Sequence, residues 1–355
     1  MNTSRQSKNE HWIRKIDWIL VGIIALLAII SVIIIHSAMG GGQYSSDFSN
    51  RQIIYYILGG LLAALIMFIS PKKLMKYAYL LYAILCVMLL VLIIMPETAI
   101  TPIINGAQSW YTIGPISIQP SEFMKIVLIL ALARLISRHN KFTFNKSIET
   151  DFVLLAKIIG VSFIPLILIL LQNDLGTTLV LLAIIAGIVI ISGITWKILA
   201  PLFLTGIIAA ASIILSVIFK PELIEKLLGI QTYQMGRINS WLDPYTYSSG
   251  EGYHLTESMK AIGSGQLFGK GFNKGEVYIP ENHTDFIFSV IGEEFGFIGA
   301  VVLILIFLAL VFHLTRLATK NDGPFNKIFI IGFISLILFH LVQNVGCILY
   351  TSLSG

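Results

Sequence analysis

The stretch ENHTDFIFSVIGEEFGFIGAVVLILIFLALVF, Glu281–Phe312, decides the fold. It opens polar, with His283, Thr284 and Asp285, and then runs apolar to Phe312. That run exceeds the ~20 residues needed to cross ~30 Å of hydrocarbon. Two carboxylates, Glu293 and Glu294, lie inside it. A charge at a bilayer centre costs roughly 2.5–3.5 kcal/mol on insertion scales, so an acid kept there faces a cavity or a partner. The stretch predicts a membrane-spanning helix with polar groups at its mouth and in its depth.

The rest of the chain agrees. Of 355 residues, 56% are hydrophobic and 12% charged, against about 25% charged in a soluble domain. Nine apolar segments of spanning length fall at 17–37, 52–69, 74–95, 122–137, 152–171, 175–193, 197–219, 284–312 and 327–350. They predict an all-α polytopic membrane protein, a single transmembrane domain over 1–355 with a large extracellular loop at 220–283. Residues 1–15 are polar and basic, but the apolar run after them is long and has no small-residue cleavage site. It reads as a retained span and not as a signal peptide. With the N-terminus cytoplasmic, the inside loops hold sixteen of the 24 Lys and Arg, and the short outside loops hold Arg51 and almost nothing else. That bias sets the orientation. It also accounts for the net charge of +5 without any nucleic acid. Cys86 and Cys347 lie in apolar stretches at no metal-ligand or disulfide spacing. The chain stops at SLSG, Ser352–Gly355, with no polar tail, so a tenth span is expected beyond it.

Two outside segments stand apart. Residues 96–121 are rich in Pro, Gly, Trp and Tyr and have no helical period; Trp110 and Tyr111 favour the membrane interface. In 220–283, Glu222–Leu228 suggests a short helix and Trp241-Leu242-Asp243-Pro244 a turn, followed by glycine-dense sequence from Gly250 to Gly275.

Polar residues in or beside the spans are the functional candidates. Glu122 and Lys125 are three apart, on one helix face. Pro120 in the first turn and Ser121 as a cap explain Glu122 as a helix start, but leave Lys125 as a cavity-facing partner. Asp174, in QNDLGTT, reads as an N-cap accepting from the Thr177 backbone N–H. Arg51 suits either a lipid phosphate or a bidentate pyrophosphate contact. Glu293 and Glu294 lie ~12–14 Å deeper than Asp285 at 1.5 Å per residue, which favours a structural ion pair or hydrogen bond. Asp285 sits at the water–lipid boundary. It reads equally as a helix N-terminal acid and as a general base for a substrate hydroxyl. The glycine-rich AIGSGQLFGKGFNKG, Ala261–Gly275, matches neither a dinucleotide fingerprint nor a Walker loop. It suits tight turns between short helices, or a phosphate contact through Lys270. His36 and His340 have no ligand partners at useful spacing and read as packed or hydrogen-bonded.

Four motifs fall in order along the chain: NGAQSWYTIGPISIQPSEFMKI, QNDLGTTL, GYHLTESMKAIGSGQLFGKGF and ENHTDFIFSVIGEEFGFIG. Together they closely resemble the SEDS family (shape, elongation, division and sporulation), and most of all its RodA branch. The resemblance implies a ten-span peptidoglycan glycosyltransferase in the bacterial cytoplasmic membrane, its active site on the outer face. It would polymerise lipid II during elongation and work with a class B penicillin-binding protein, a transpeptidase. It implies Asp285 as the essential acid, with Arg51, Glu122, Lys125 and Asp174 at family motif positions. His283 and Thr284 fall in the same motif as Asp285. The chain departs from the family at Asn173, where a turn proline is usual, a change expected to alter rigidity and not chemistry. Glu257 stands where Gln is common, and Ser109 where some members carry Arg.

The implied reaction is inverting transfer from a glycan on undecaprenyl pyrophosphate to a lipid II hydroxyl. Arg51, Lys125 and Lys270 would steady the diphosphate, and apolar spans would seat the lipid. A divalent cation (Mg or Mn) could assist, although no ligand cluster in the sequence demands one. The rival readings are a lipid II transporter and a non-catalytic scaffold for the transpeptidase.

Overall fold

The computed structural model describes residues 16–40, 48–103, 107–114, 116–143, 146–219, 243, 245–247, 250, 252–280 and 282–353. Long helices stand at all nine expected places: α1 Trp18–Ala38, α2 Phe48–Met67, α3 Pro71–Ile94, α4 Pro120–Phe142, α5 Ile148–Leu171, α6 Leu175–Ile191, α7 Trp196–Phe219, α9 Ile287–Lys320 and α10 Pro324–Leu353. A shorter helix, α8, covers Tyr253–Gly265. Seven of the nine are long and apolar enough to cross a membrane. Of the other two, α6 is apolar but has 17 residues, and α4 carries Glu122, Lys125, Arg134, Arg138 and Lys141. The fold is that of an all-α polytopic membrane protein. The short helix expected at 222–228, and residues 241, 242 and 244 of the expected turn, lie outside the described residues. Asp243 is described, and its carboxylate accepts from the Thr246 N–H at 3.2 Å and from the Thr246 hydroxyl at 2.7 Å.

Local chemistry fixes the helix starts. Asp17 caps α1 by accepting from the Leu20 N–H at 3.0 Å. Ser147 and Thr150 form a reciprocal capping box on α5. Asp174 caps α6 by accepting from the Thr177 N–H at 3.0 Å, as its position predicts. Ser121 does not cap α4. Pro120 occupies the first turn, so the cap position falls to Gln119, which makes no side-chain cap. The Ser121 hydroxyl is buried without a hydrogen-bond partner among the described residues.

Residues 96–121 contain a small hairpin that has no helical or long-strand signal in the sequence. β1 Tyr111–Ile113 pairs antiparallel with β2 Ile116–Ile118, with Tyr111 opposite Ile118. The turn needs Gly114 at φ +62°, a conformation that costs an L-residue roughly 1–2 kcal/mol. Tyr111 donates its hydroxyl to the Met88 carbonyl at 2.9 Å, which ties the hairpin to α3.

The chain packs as two compact units: Met1–Ala63 with His254–His313 and Ser352–Gly355, and Ala64–Tyr253 with Leu314–Thr351. In the second, α4 is central. Its buried Met124, Leu128, Leu132 and Ile136 meet Leu89 of α3, Ile158 of α5, Ile184 of α6 and Leu336 of α10. Small residues allow close approach: a Cβ on Gly187 would overlap the Ser335 hydroxyl, as at many helix interfaces in lipid. The first unit has a smaller core, Ile34 and Ala38 of α1 against Val290 and Ile291 of α9. By contrast α2 buries only Ser49 and turns Ile54, Ile57, Leu61 and Leu65 outward. A face that apolar would be a liability in water; it suits hydrocarbon.

Candidate active site

In the first unit, α9 is broken where its sequence reads EEFGF. Gly296 has φ +64° and ψ −163°, so the helix cannot pass through it. In an unbroken helix the carbonyls of Glu293 and Glu294 would accept from Phe297 and Ile298. Here they accept instead from the Lys270 and Gly271 N–H groups, each at 2.9 Å. Phe297 and Ile298 donate to the carbonyls of Gln266 at 2.9 Å and Leu267 at 3.2 Å. The loop after α8 thus enters the break and takes over four of the backbone groups it exposes. Contact is backbone to backbone. A Cβ on Gly269, itself at φ +78°, would overlap the Glu294 carbonyl oxygen. The glycine-rich loop is therefore a joint in the helix. The amides of Lys270 and Gly271, available in principle to a phosphate, are used inside the protein.

Side chains lock the joint. Glu293 Oε1 accepts from Lys270 Nζ at 2.7 Å and from the backbone N–H groups of Glu276 and Val277 at 2.9 and 3.2 Å. Lys270 also pairs with Glu276 at 3.1 Å. The bond to Glu293 comes first among the influences that raise the Lys270 pKa above the usual lysine value. Lys270, read as a turn residue or a phosphate contact, anchors the loop through its pairs with Glu276 and Glu293. The Ser37 hydroxyl lies 2.6 Å from both oxygens of Glu294 and accepts from the Asn273 N–H at 2.9 Å, joining α1 to the loop. Glu293 and Glu294, 3% and 2% exposed, line a polar cavity of about 80 Å³ with Ser37, Asn273 and Asn282. Both have the structural role their depth suggests.

The segment leading into α9 is pinned at two points. His283 stacks on Phe48 of α2, ring centroids 4.2 Å apart and planes 18° from parallel. Phe286 stacks on His254 of α8 at 5.8 Å and 14°. Between the pins, Thr284 and Asp285 are exposed. Arg51 lies over the other member of the first stack, its guanidinium carbon 5.6 Å from the Phe48 centroid. Glu293 and Glu294 are held as described, and Asp17 is bound to His313 at 2.8 Å. The Asp285 carboxylate has no hydrogen-bond or ion-pair partner among the described residues.

The second unit holds another polar cluster. Lys125, 3% exposed, pairs with Glu122 at 2.6 Å and contacts His340 Nε2 of α10 at 3.4 Å. At the start of α6, Asp174 accepts from the Thr177 hydroxyl at 2.8 Å and from the Gln119 amide at 2.9 Å. Asn173, one residue earlier, has φ +61°. Proline cannot adopt that angle, so the departure at this position changes the shape of the turn and not just its stiffness. Ser109 is buried, and Glu257 pairs with Lys260 at 2.6 Å.

A sequence model described as "Cell cycle protein", covering FtsW, RodA and SpoVE, matches residues 12–350. The chain belongs to the FtsW/RodA/SpoVE family. It is 31% identical over 340 residues to stage V sporulation protein E of Bacillus subtilis, spanning 94% of this chain and 87% of that one. It is 29% identical over 351 residues to peptidoglycan glycosyltransferase MrdB of Escherichia coli, spanning 98% and 88%. Among solved structures, a chain from a study of polymerization and crosslinking by a peptidoglycan synthase complex superposes with TM-score 0.72 at 28% identity, over 95% of this chain and 88% of that one. The rod shape determining protein RodA of Thermus thermophilus superposes with TM-score 0.63 at 28% identity, over 94% and 85%. The family read from the four motifs is borne out.

For this member of the FtsW/RodA/SpoVE family, several site partners escaped sequence reasoning: Ser37, Phe48, Gln119 and His254; His340 was read as packed or hydrogen-bonded, without Lys125 as its partner. For His340 a signal existed. His340, Gln343 and Asn344 recur at i, i+3 and i+4, a polar stripe on one face of an apolar span. Phe48 and His254 gave none, because a stacking partner is defined only by the fold.

Proposed function

We propose that this chain is a peptidoglycan glycosyltransferase that polymerises lipid II, with Asp285 as its general base. One observation carries the assignment to Asp285. Its carboxylate is exposed and has no partner among the described residues, on a segment fixed at His283 and Phe286. A base must reach a hydroxyl and be free to take its proton, and a pinned backbone keeps it in place between turnovers.

The acceptor, lipid II, presents a sugar 4-hydroxyl. The donor is a glycan on undecaprenyl pyrophosphate. As the hydroxyl oxygen bonds to the donor anomeric carbon, Asp285 takes its proton. The bond from that carbon to the pyrophosphate oxygen breaks, its electron pair leaves with the lipid pyrophosphate, and the configuration inverts. Arg51, held on the Phe48 ring, is suited to a diphosphate through its planar fork of donors. Exposed Thr284 offers a hydroxyl beside the base, and His283 fixes the segment through its stack. In the second unit Lys125 is the cation assigned to substrate, Glu122 balances its charge, and Asp174 shapes the α6 turn. Lys270 is left to the loop.

Among the described residues no three His, Cys, Asp or Glu cluster as metal ligands; Mg or Mn, which could assist the leaving group, needs only one or two carboxylates beside substrate phosphates. The reaction as written has no metal step. With the N-terminus inside, as the loop charges indicate, Asp285 works at the outer face of the bacterial cytoplasmic membrane. A class B penicillin-binding protein is the expected partner. That a structural relative was solved in a peptidoglycan synthase complex supports this.

The test is glycan synthesis from lipid II by purified protein, with the partner transpeptidase inactivated at its own site. Wild type should give polymer ladders, and Asp285→Asn should be slower by at least 100-fold, within the ~10²–10⁴ range of general-base catalysis. Equal rates would remove Asp285 from the mechanism. No polymer from wild type would favour transport or scaffolding.

A further inference from the structure

We infer that His340 is a positioning residue that aims the buried Lys125 ammonium at substrate. This rests on the polymerase reading above.

The argument begins with donors. An ammonium has three N–H groups and no acceptor. Lys125 Nζ meets Glu122 Oε2 at 2.6 Å and His340 Nε2 at 3.4 Å. Because lysine only donates, His340 Nε2 must accept, so the ring is neutral and carries its proton on Nδ1. Two partners on two helices set two N–H directions, and tetrahedral geometry sets the third. Among the described residues the third N–H has no partner, although Lys125 is 3% exposed. A buried ammonium with one donor left over is arranged for a single oxygen from outside the protein, such as a phosphate oxygen or a sugar oxygen.

Glu122 alone does not give that arrangement. Its side chain is 52% exposed, so by itself it would let the ammonium swing toward solvent. The ring comes from α10, whose Asn344 side chain donates to the His340 carbonyl at 3.0 Å. Glu122 and Lys125, both on α4, are the charged groups that face the ring. If the ring gained a second proton, Nε2 would become a donor pointing at an ammonium, and the contact would be lost.

Three proteins test this: wild type, His340→Leu, which removes the acceptor, and His340→Gln, which keeps a non-titrating one. Leu should lower kcat/KM for lipid II about 10- to 100-fold, the equivalent of losing one hydrogen bond to a charged group, with an unchanged melting temperature. Gln should stay within about threefold of wild type at pH 7.5. It should also lack the fall in kcat/KM expected of wild type as acid adds a second proton to the ring. A second readout is independent of activity. Imidazole ¹⁵N shifts of histidine-labelled protein, with His340 assigned by its absence from the Gln variant, should report the Nδ1–H tautomer at pH 7.5.

An Nε2–H tautomer overturns the inference, as does a Leu variant with wild-type kcat/KM. Equal losses in Leu and Gln, with lowered melting temperatures, would make His340 a packing residue and also overturn it. If wild type makes no polymer, the polymerase reading fails while the tautomer still decides the His340–Lys125 contact.

Discussion

Glu293→Ala should unfasten the loop after α8 while leaving the helices standing. The carboxylate is the common acceptor for Lys270 Nζ and for the N–H groups of Glu276 and Val277. Truncation leaves both amides without an acceptor. A hydrogen bond to a charged group contributes roughly 1.5–3 kcal/mol, so two at the lower end give about 3 kcal/mol. Lys270 adds little, because its side chain is 23% exposed and keeps Glu276. Local opening governs amide exchange in a segment like this one, and 3 kcal/mol corresponds to about 100-fold in rate, at 1.4 kcal/mol per factor of ten. The assay is hydrogen–deuterium exchange of micelle-solubilised protein, followed in a peptide covering residues 266–280, with a peptide from the core of α4 as control. Alanine should accelerate exchange about 100-fold in the first peptide and not in the second. Glutamine, which keeps a neutral acceptor, should fall between. Exchange within threefold of wild type would refute the idea that Glu293 holds the loop. Equal acceleration in the α4 peptide would mean that Glu293 supports the whole fold.

Asn173→Pro should lower stability by about 2–3 kcal/mol, since proline can neither reach φ +61° nor replace the N–H that Asn173 donates to the Leu170 carbonyl; Asn173→Gly should be neutral or stabilising, and thermal melts in detergent would separate them. At the other end of the chain, Asp17→Ala should cost about 1 kcal/mol through loss of the α1 cap. The Asp17 pKa is lowered, first by the Leu20 N–H and further by His313, against burial. Its contribution is therefore present above the unfolded value of about 3.9 and is lost as pH falls through the lower folded value. The melting-temperature gap between wild type and Asp17→Ala should thus be full at pH 7 and close below about pH 4.

Some of this protein is fixed by sequence alone. Span length and apolarity place the nine long helices, because a backbone in hydrocarbon must satisfy its own hydrogen bonds and helices do so locally. The Asp174 cap was equally legible, since a cap involves residues three apart. The four motifs were enough to name the family and to single out Asp285. What the sequence left open are relations between distant residues. Glu293 and Glu294 read as structural from their depth, yet nothing nearby in the chain points to Lys270, 23 residues before one, or to Ser37, 257 before the other. The glycine loop read equally as a phosphate cradle and as a set of turns. The outcome depended on whether its amides would meet a broken helix, and the break at Gly296 makes sense only with the loop inside it. Asp285 and Lys125 were named by motif, but the stacks that pin one and the His340 contact that orients the other exist only once α2, α8 and α10 are in place. Hydrogen bonds within a helix follow from the local chain, whereas an acceptor for a buried ammonium has to be brought from elsewhere by packing.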